Sequence, residues 1–385
     1  DDRGYRQVVR NGFLPQRSIT SGIGAIQVKQ PRVRDRRPAC GGGGRPPHNG
    51  GESSLGGAAD CREKFTSKIL PPYLRKTKAI EELIPWLYLK GISTSDFPEA
   101  MQSLVGVDAA GLSATTITRT IQCWQEDWES WRRRSLADKQ YVYIWADGVH
   151  FNIRLEEDRQ CILVLMGANA DGTKELIAMT DGFRESEESW KALLLDVKSR
   201  GLIIEPKLAT GDGALGFWKA LSQVYPTTRV QRCWVHKTAN VLDKLPKRLQ
   251  AQAKSLLHDI WMAGTKAAAN KAFDLFIETY ESKFPNATAC LQKDRDALLT
   301  FYDFPSEHWP HIRTTNPIES VFATVRLRTD KTKGSGSRTA CQTMVFKLFE
   351  SASKHWRALN GSAHMSDILA GVQFADGIKQ QRVAA

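Results

Sequence analysis

Three acidic residues of this 385-residue chain raise the question of chemistry. Asp147 falls in "YVYIWADGVHFNIRL", where aromatic and β-branched residues alternate at the period of a strand. On such a strand Tyr143, Trp145, Asp147, Val149, Phe151 and Ile153 share one face, and Asp147 lands on the apolar side. A bare carboxylate there costs several kcal/mol unless it is paired, hydrogen-bonded or bound to a cation. An Asp-Gly pair is ordinary turn chemistry, but the alternation continues past Gly148 and "LEEDRQ" offers a better turn. Asp212, in "LATGDGALGFWKAL", follows an apolar strand and opens a helix, where an N-cap or turn role explains it equally well. Glu319, in "RTTNPIESVFATVRLRT", has an equally good local reading. Asn316 reads as an N-cap and Pro317 as the first helical residue, which leaves Glu319 at the capping-box position. Together the three say more than each alone. Carboxylates brought to one point repel, so their convergence implies hard cations, and all-oxygen ligation suits Mg²⁺ or Mn²⁺. Two such ions stabilise the attacking and leaving oxygens of an in-line phosphoryl displacement.

The elements that must position these acids follow from the hydropathic period. From 140 onward the sequence reads β-β-β-α-β-α-β, a mixed α/β sheet. Its strands are 141–154, "RQCILVLMGAN", "KELIAMT", the stretch ending "KLATG" and "TTRVQRCWVHK". "ANADGTK" is a hairpin turn by its Asp-Gly, and "EESWKALLLDVKSRG" is an amphipathic helix closed by Gly201. By parity His150 lies on the face opposite Asp147 and reads as structural. Residues 239–309 are helical throughout, and a long basic helical pattern broken at "KGSGS" follows "RTTNPIES".

Ahead of the sheet the chain is helical from 64 to 136. Ile117, Ile121, Trp124, Trp128 and Trp131 form a stripe at three and four spacing behind a Ser113 N-cap. Short helices, a Gly-bearing break and a polar helix start suit a helix-turn-helix, with Thr115, Thr116 and Arg119 facing DNA; an ordinary bundle with a Trp core fits the same pattern. Residues 40–60, "CGGGGRPPHNGGESSLGGAAD", read as a flexible linker.

Charge points the same way. The net +12 is concentrated: residues 1–40 hold nine Lys/Arg against three Asp, and residues 311–357 hold nine against three Asp/Glu, +6 each. Clustered positive charge matches a polyphosphate partner. The long apolar run of a membrane span is missing, and the start lacks the apolar core of a secretory signal. Because the chain starts at Asp1 without a Met, residues upstream are expected. Seven irregularly placed cysteines fit a reduced, cytoplasmic setting. Of these only "CWVH" (Cys233, His236) has metal-like spacing, and without a second pair it makes no structural zinc site.

The motifs taken in order resemble the Mutator-type DDE transposases of bacterial insertion sequences. The likeness runs through "GYRQVVRNGFLPQR", "PRVRDRR", "LPPYLRKTKAIEELIPWLYLKGIS", "GLSATTITR", "WADGVHF", "TGDGALGFW", "QRCWVHK" and "RTTNPIES". It implies an RNase H-like mixed five-stranded sheet with an all-α insertion between the second Asp and the Glu, preceded by an all-α DNA-binding region. The helical block at 239–309 fills that gap. Carried over position by position, the resemblance implies Asp147, Asp212 and Glu319 as the ligands of two Mg²⁺ (or Mn²⁺) ions. It gives His236 a contact to the scissile phosphate, Cys233 a supporting role, and the "RTTN" around Arg313 and Asn316 a role in positioning DNA. The basic stretch beyond (Arg326, Arg328, Lys331, Lys333) is a weaker phosphate-binding candidate, since a solvated helix face reads the same way.

The expected layout is a basic segment and Gly-rich linker over 1–60 and a helix-turn-helix-like DNA-binding domain over 61–136. The first part of the catalytic core covers 137–238, the all-α insertion 239–310, and the Glu-bearing helix with basic C-terminal helices 311–385. The linker is longer and more polar than the family pattern leads one to expect, and the first helices found upstream in that pattern are missing. The implied activity is metal-dependent hydrolysis and 3′-OH strand transfer at the terminal inverted repeats of an insertion sequence. Implied with it are target DNA as second substrate, a homodimer or larger assembly, nucleoid association and no membrane. A metal-dependent nuclease on the same fold and a non-catalytic DNA-binding factor are the alternatives.

Overall fold

Among the described residues, short strands come ahead of any helix. The computed structural model describes residues 8–21, 24–35, 77–89, 114–151, 160–182, 185–213, 215–331 and 337–380, with a few isolated positions between them. It divides into two compact units, 1–119 and 120–385. Helices of eight residues or more are numbered below.

In the first unit β1 (Val8–Phe13) pairs antiparallel with β4 (Pro31–Asp35), and β2 (Arg17–Ser21) with β3 (Gly24–Val28). The charge of this region dominates its sequence and points to no strands. Yet β-branched residues alternate with Arg, Lys and Gln in "AIQVK" and "RVRD", which is a strand period. Helix α1 (Lys78–Leu89) packs on β2, burying Ile80 and Leu87 with Ile19, and the Thr77 N–H donates to the Thr20 carbonyl. The Gly-rich linker, Ser113 and the turn of the expected helix-turn-helix lie outside the described residues. Thr115, Thr116 and Arg119 fall on α2 (Ala114–Arg132), with side chains outside the described set.

In the second unit the C-terminal part of α2 settles the Trp stripe as core. Trp124 and Trp128 are buried, and Trp128 and Trp131 pack against Phe346 of α10 (Arg338–Ser353). The sheet has five strands in the order β7-β6-β5-β8-β9. Strands β5 (Tyr141–Phe151), β6 (Gln160–Asn169) and β7 (Lys174–Gly182) form an antiparallel meander, and β8 (Leu208–Gly211) and β9 (Arg229–Arg232) add in parallel. The β6–β7 turn is the expected Asp-Gly hairpin. Gly172 takes φ +82°, and Asp171 Oδ1 accepts from the Thr173 N–H.

One face of the sheet packs on α3 (Glu187–Ser199) and α4 (Leu215–Val224). Ile144, Ala146, Leu163 and Leu165 meet Trp190, Leu194, Phe217 and Leu221 in one cluster. On the other face Tyr143 OH bonds His308 Nδ1 at 2.7 Å, and Trp145 Nε1 donates to the His311 carbonyl at 2.9 Å. Helices α5 (Trp234–Leu242), α6 (Lys247–Met262), α7 (Lys266–Tyr280) and α8 (Pro285–Gln292) make the all-α block; short helical turns lead from it to α9 (Asn316–Lys331).

Two local readings shift. The stretch "TTRVQRCWVHK" is strand only to Arg232, because Cys233 caps α5 and its carbonyl already accepts from the Lys237 N–H. The cap of α9 is Thr315 rather than Asn316: the Thr315 carbonyl takes the Glu319 N–H at 3.0 Å, the first intrahelical bond.

Candidate active site

Asp147 is 6% exposed on the central strand β5, as the alternation predicts. Its Oδ1 accepts from the Gly148 N–H at 2.9 Å; its buried Oδ2 has no hydrogen-bond partner among the described residues. Glu319 approaches from the first turn of α9 and His236 from the first turn of α5. One ligand-type atom from each of the three lies within 4.8 Å of the others. His236 Nε2 is 3.1 Å from Glu319 Oε1, and its Nδ1 is 3.4 Å from Thr315 Oγ1. Cys233 Sγ accepts from the Thr315 N–H, so the C-x-x-H motif and the turn before α9 are tied together around the imidazole.

The electrostatics follow from this packing. Burial, then the Glu319 charge, pushes the Asp147 carboxyl well above its ordinary range, against the pull of His236. Burial works against the charged form of His236, but the hydrogen bonds with Cys233 and Glu319 and the charge of Asp147 outweigh it and raise the imidazole to about 11. The His236 hydrogen bond holds Glu319 below its usual value despite burial. Burial disfavours the Cys233 thiolate, yet the His236 and Thr315 hydrogen bonds bring the thiol down overall.

Asp212 follows β8 directly. The parallel register of Ala146 with Gly211 puts Asp212, just past the carboxyl end of β8, beside Asp147 within β5. Its carboxylate is turned to its own next residue, Oδ1 accepting from the Gly213 N–H, and it is not part of the Asp147–His236–Glu319 cluster. Its carbonyl accepts from Trp218 Nε1 and Arg232 Nη1, both at 2.7 Å, which anchors the turn. The two Asp are thus neighbours by topology, and the third close partner is His236.

An oxygen-binding cation fits these residues. A buried carboxylate oxygen without a partner faces a second carboxylate, with a third acid one strand away, and such a set repels itself unless positive charge enters. His236 supplies one such charge.

The remaining candidates are spread more widely. Arg313 lies over the Trp261 ring, 4.4 Å from its centroid, and donates Nη1 to the Trp261 carbonyl at 2.9 Å. It lines a cavity with Trp234, Val235, His258 and the exposed Asn316. Arg326 is exposed, 3.5 Å from Glu319 Oε2. Arg328 is only 4% exposed, so the exposed basic face assigned to it is corrected: spacings of four and three from Val321 through Val325 put it on the buried stripe of α9. The Lys331 side chain and Lys333 lie outside the described residues. Sequence reasoning missed Thr315, whose neighbours hid it in a cap motif, and Glu185, half-buried ahead of α3. The charges of His150, Asp212 and His236 all act on Glu185, a convergence that only the tertiary fold creates.

A mixed five-stranded sheet with a buried carboxylate on its central strand and helices on both faces is compatible with an RNase H-like core. The chain belongs to the Mutator family of transposases, whose family model matches residues 60–358. It is 48% identical over 298 residues to the transposase for insertion sequence element IS6120 of Mycolicibacterium smegmatis, covering 77% of this chain and 92% of the relative. It is 47% identical over 287 residues to the transposase for IST2 of Acidithiobacillus ferrooxidans, covering 73% and 95%. A more distant relative, the IS256 transposase of transposon Tn4001 from Staphylococcus aureus, is 23% identical over 356 residues, or 91% of this chain and 83% of the relative.

Proposed function

We propose that this chain binds the terminal inverted repeats of its insertion sequence, hydrolyses a phosphodiester at the element end and directs the freed 3′-OH onto a second DNA strand. One observation carries the reading: the buried Asp147 carboxyl, with an oxygen lacking a partner, faces Glu319 and His236 part-way along the central strand. Asp147, Asp212 and Glu319 would hold Mg²⁺ or Mn²⁺, two ions being expected. Bound there, the ions would supply an activated water or 3′-oxygen and a counter-charge for the leaving oxygen.

The chain's own residues do the rest. Asp147 offers its free oxygen in a water-poor setting, where charge interactions are strong. His236, protonated through neutral pH, is a cation placed to neutralise a phosphate oxygen, and Thr315 and Cys233 fix its ring. Asp212 stands at the end of the neighbouring strand, where turning its carboxylate inward completes an acidic triad. Double-stranded DNA as partner is supported by the family and by the basic segments at 1–40 and 311–357. A dimer or larger assembly follows from the task of joining two element ends.

The decisive assay is divalent-metal-dependent cleavage and joining of a labelled element end. The expected result is both activities in the wild type and neither in Asp147→Ala. Joining by Asp147→Ala at the wild-type rate refutes the assignment. Cleavage without joining makes the protein a nuclease, and binding with no cleavage under any metal makes it a non-catalytic DNA-binding factor.

A further inference from the structure

The opposite face of β5 carries a second group of ligand-type side chains. His150 and Cys161 are cross-strand partners on β5 and β6, so they share a face, and Glu185 reaches them from the turn before α3. One ligand-type atom from each lies within 4.8 Å of the others, and His150 Nε2 is 3.6 Å from Glu185 Oε1. Two glycines make the approach possible. A Cβ on Gly148 would stand 2.7 Å from Glu185 Oε1, and one on Gly216 only 2.4 Å from the Glu185 carbonyl oxygen. Glu185 is therefore held between β5 and α4. Cys161 is a buried free thiol.

We propose that His150, Cys161 and Glu185 form a binding site for one divalent transition-metal ion of the zinc class, separate from the Asp147 cluster. Thiolate, imidazole and carboxylate are the donor types of tetrahedral zinc sites, and three protein ligands leave the fourth position open to water. The soft sulfur discriminates against Mg²⁺ and Mn²⁺, which prefer the all-oxygen carboxylates on the other face. Charge balances: one thiolate and one carboxylate offset the two positive charges, with a neutral imidazole. Ligation takes the thiolate, so the ion displaces the Cys161 proton, which leaves to solvent, and affinity rises with pH. The rival for the same atoms is a metal-free His150–Glu185 pair above an inert thiol.

The test uses the metal-stripped full chain titrated with Co²⁺, whose absorption reports its ligands. The expected result is one equivalent with a thiolate-to-cobalt charge-transfer band in the near ultraviolet and visible bands of tetrahedral coordination. Zn²⁺ should abolish both. Cys161→Ser should remove the near-ultraviolet band, and Cys233→Ser should keep it, which excludes the C-x-x-H pair as the source. If Cys161→Ser does not fold, His150→Gln, at a side chain 42% exposed, should weaken Co²⁺ binding at least about tenfold with an unchanged circular dichroism spectrum. A wild type without the thiolate band, a band that survives Cys161→Ser or is lost in Cys233→Ser, or unchanged affinity in His150→Gln overturns the proposal.

Discussion

The two faces of β5 at its carboxyl end present similar residue types under different burial. On one, Asp147 is 6% exposed, faces Glu319 and His236, and keeps an oxygen without a partner. On the other, His150 is 42% exposed and shares its charge interaction with Glu185. A buried carboxyl facing a second one is tolerated only when positive charge or a proton enters, because desolvation outweighs what a single neighbour returns. A half-exposed His–Glu pair survives without help, since water solvates it. Burial therefore separates a cluster that needs a cation from one that merely accepts one.

The largest effect expected from that difference is at Asp147. Asp147→Asn should cut cleavage and strand transfer by about 10³-fold or more, the scale of losing one element of transition-state charge stabilisation. The same variant should be more stable in chelator. The Asp147 carboxyl is raised in the folded protein, so above its ordinary value of 3.8 the folded state holds a proton that the unfolded chain gives up, and stability falls as pH rises. Asn has no such penalty, and a gain of about 1–2 kcal/mol at pH 7 would raise Tm by about 2–6 °C. Thermal unfolding of both proteins in chelator checks this; an Asn variant less stable than wild type would mean Asp147 is satisfied after all.

His236 comes next. His236→Gln should cost about 10²-fold in activity. The imidazole rises from 6.5 to about 11 on folding, so its stabilising contribution is complete below pH 6.5 and is lost as pH rises towards 11. Urea unfolding in chelator, compared between wild type and His236→Gln, should show the wild-type advantage shrinking over that window. An advantage that grows with pH would invert the assignment of charge. On the far face Gly216→Ala should disturb Glu185 by forcing a Cβ into its backbone, at about 1–3 kcal/mol in unfolding. Gly148→Ala meets only the movable carboxyl end, so it should weaken Co²⁺ binding there and cost less stability than Gly216→Ala. Equal costs for the two would show Glu185 to be as rigid at its tip as at its backbone.

Much of the Asp147 face was legible because period and burial are written in the chain. Alternation through "YVYIWADGVHF" placed Asp147 inward, and the five strands and the helical block fell where the hydropathic period put them. The register of β5 with β8, which makes Asp212 a neighbour, belongs to parallel pairing and has no local signature. Thr315 was masked by a cap motif one residue out of register. Glu185 was hidden because a Glu before a Ser cap is ordinary helix chemistry, and only packing against Gly148 and Gly216 makes it unusual. The N-terminal strands were obscured by charge, which says nothing about period.

The smallest effects separate Arg326 from Arg328, two residues apart on α9. Both count equally in the basic cluster of the sequence, but the helix turns them to different environments. Arg328 is 4% exposed on the Val321–Val325 stripe, on the buried side of the helix. Arg328→Ala should therefore cost about 2 kcal/mol in unfolding and lower DNA binding only through the fold. Arg326 is 51% exposed and its pairing with Glu319 at 3.5 Å is screened, so Arg326→Ala should change stability by less than about 0.5 kcal/mol. If Arg326 reaches a phosphate, its removal weakens binding to all DNA sequences alike and reduces the salt slope of log K by about one. Fluorescence anisotropy with an element end and a scrambled duplex, repeated across salt, measures this. A slope unchanged in Arg326→Ala assigns the residue to holding Glu319, and puts the phosphate contacts of this helix elsewhere.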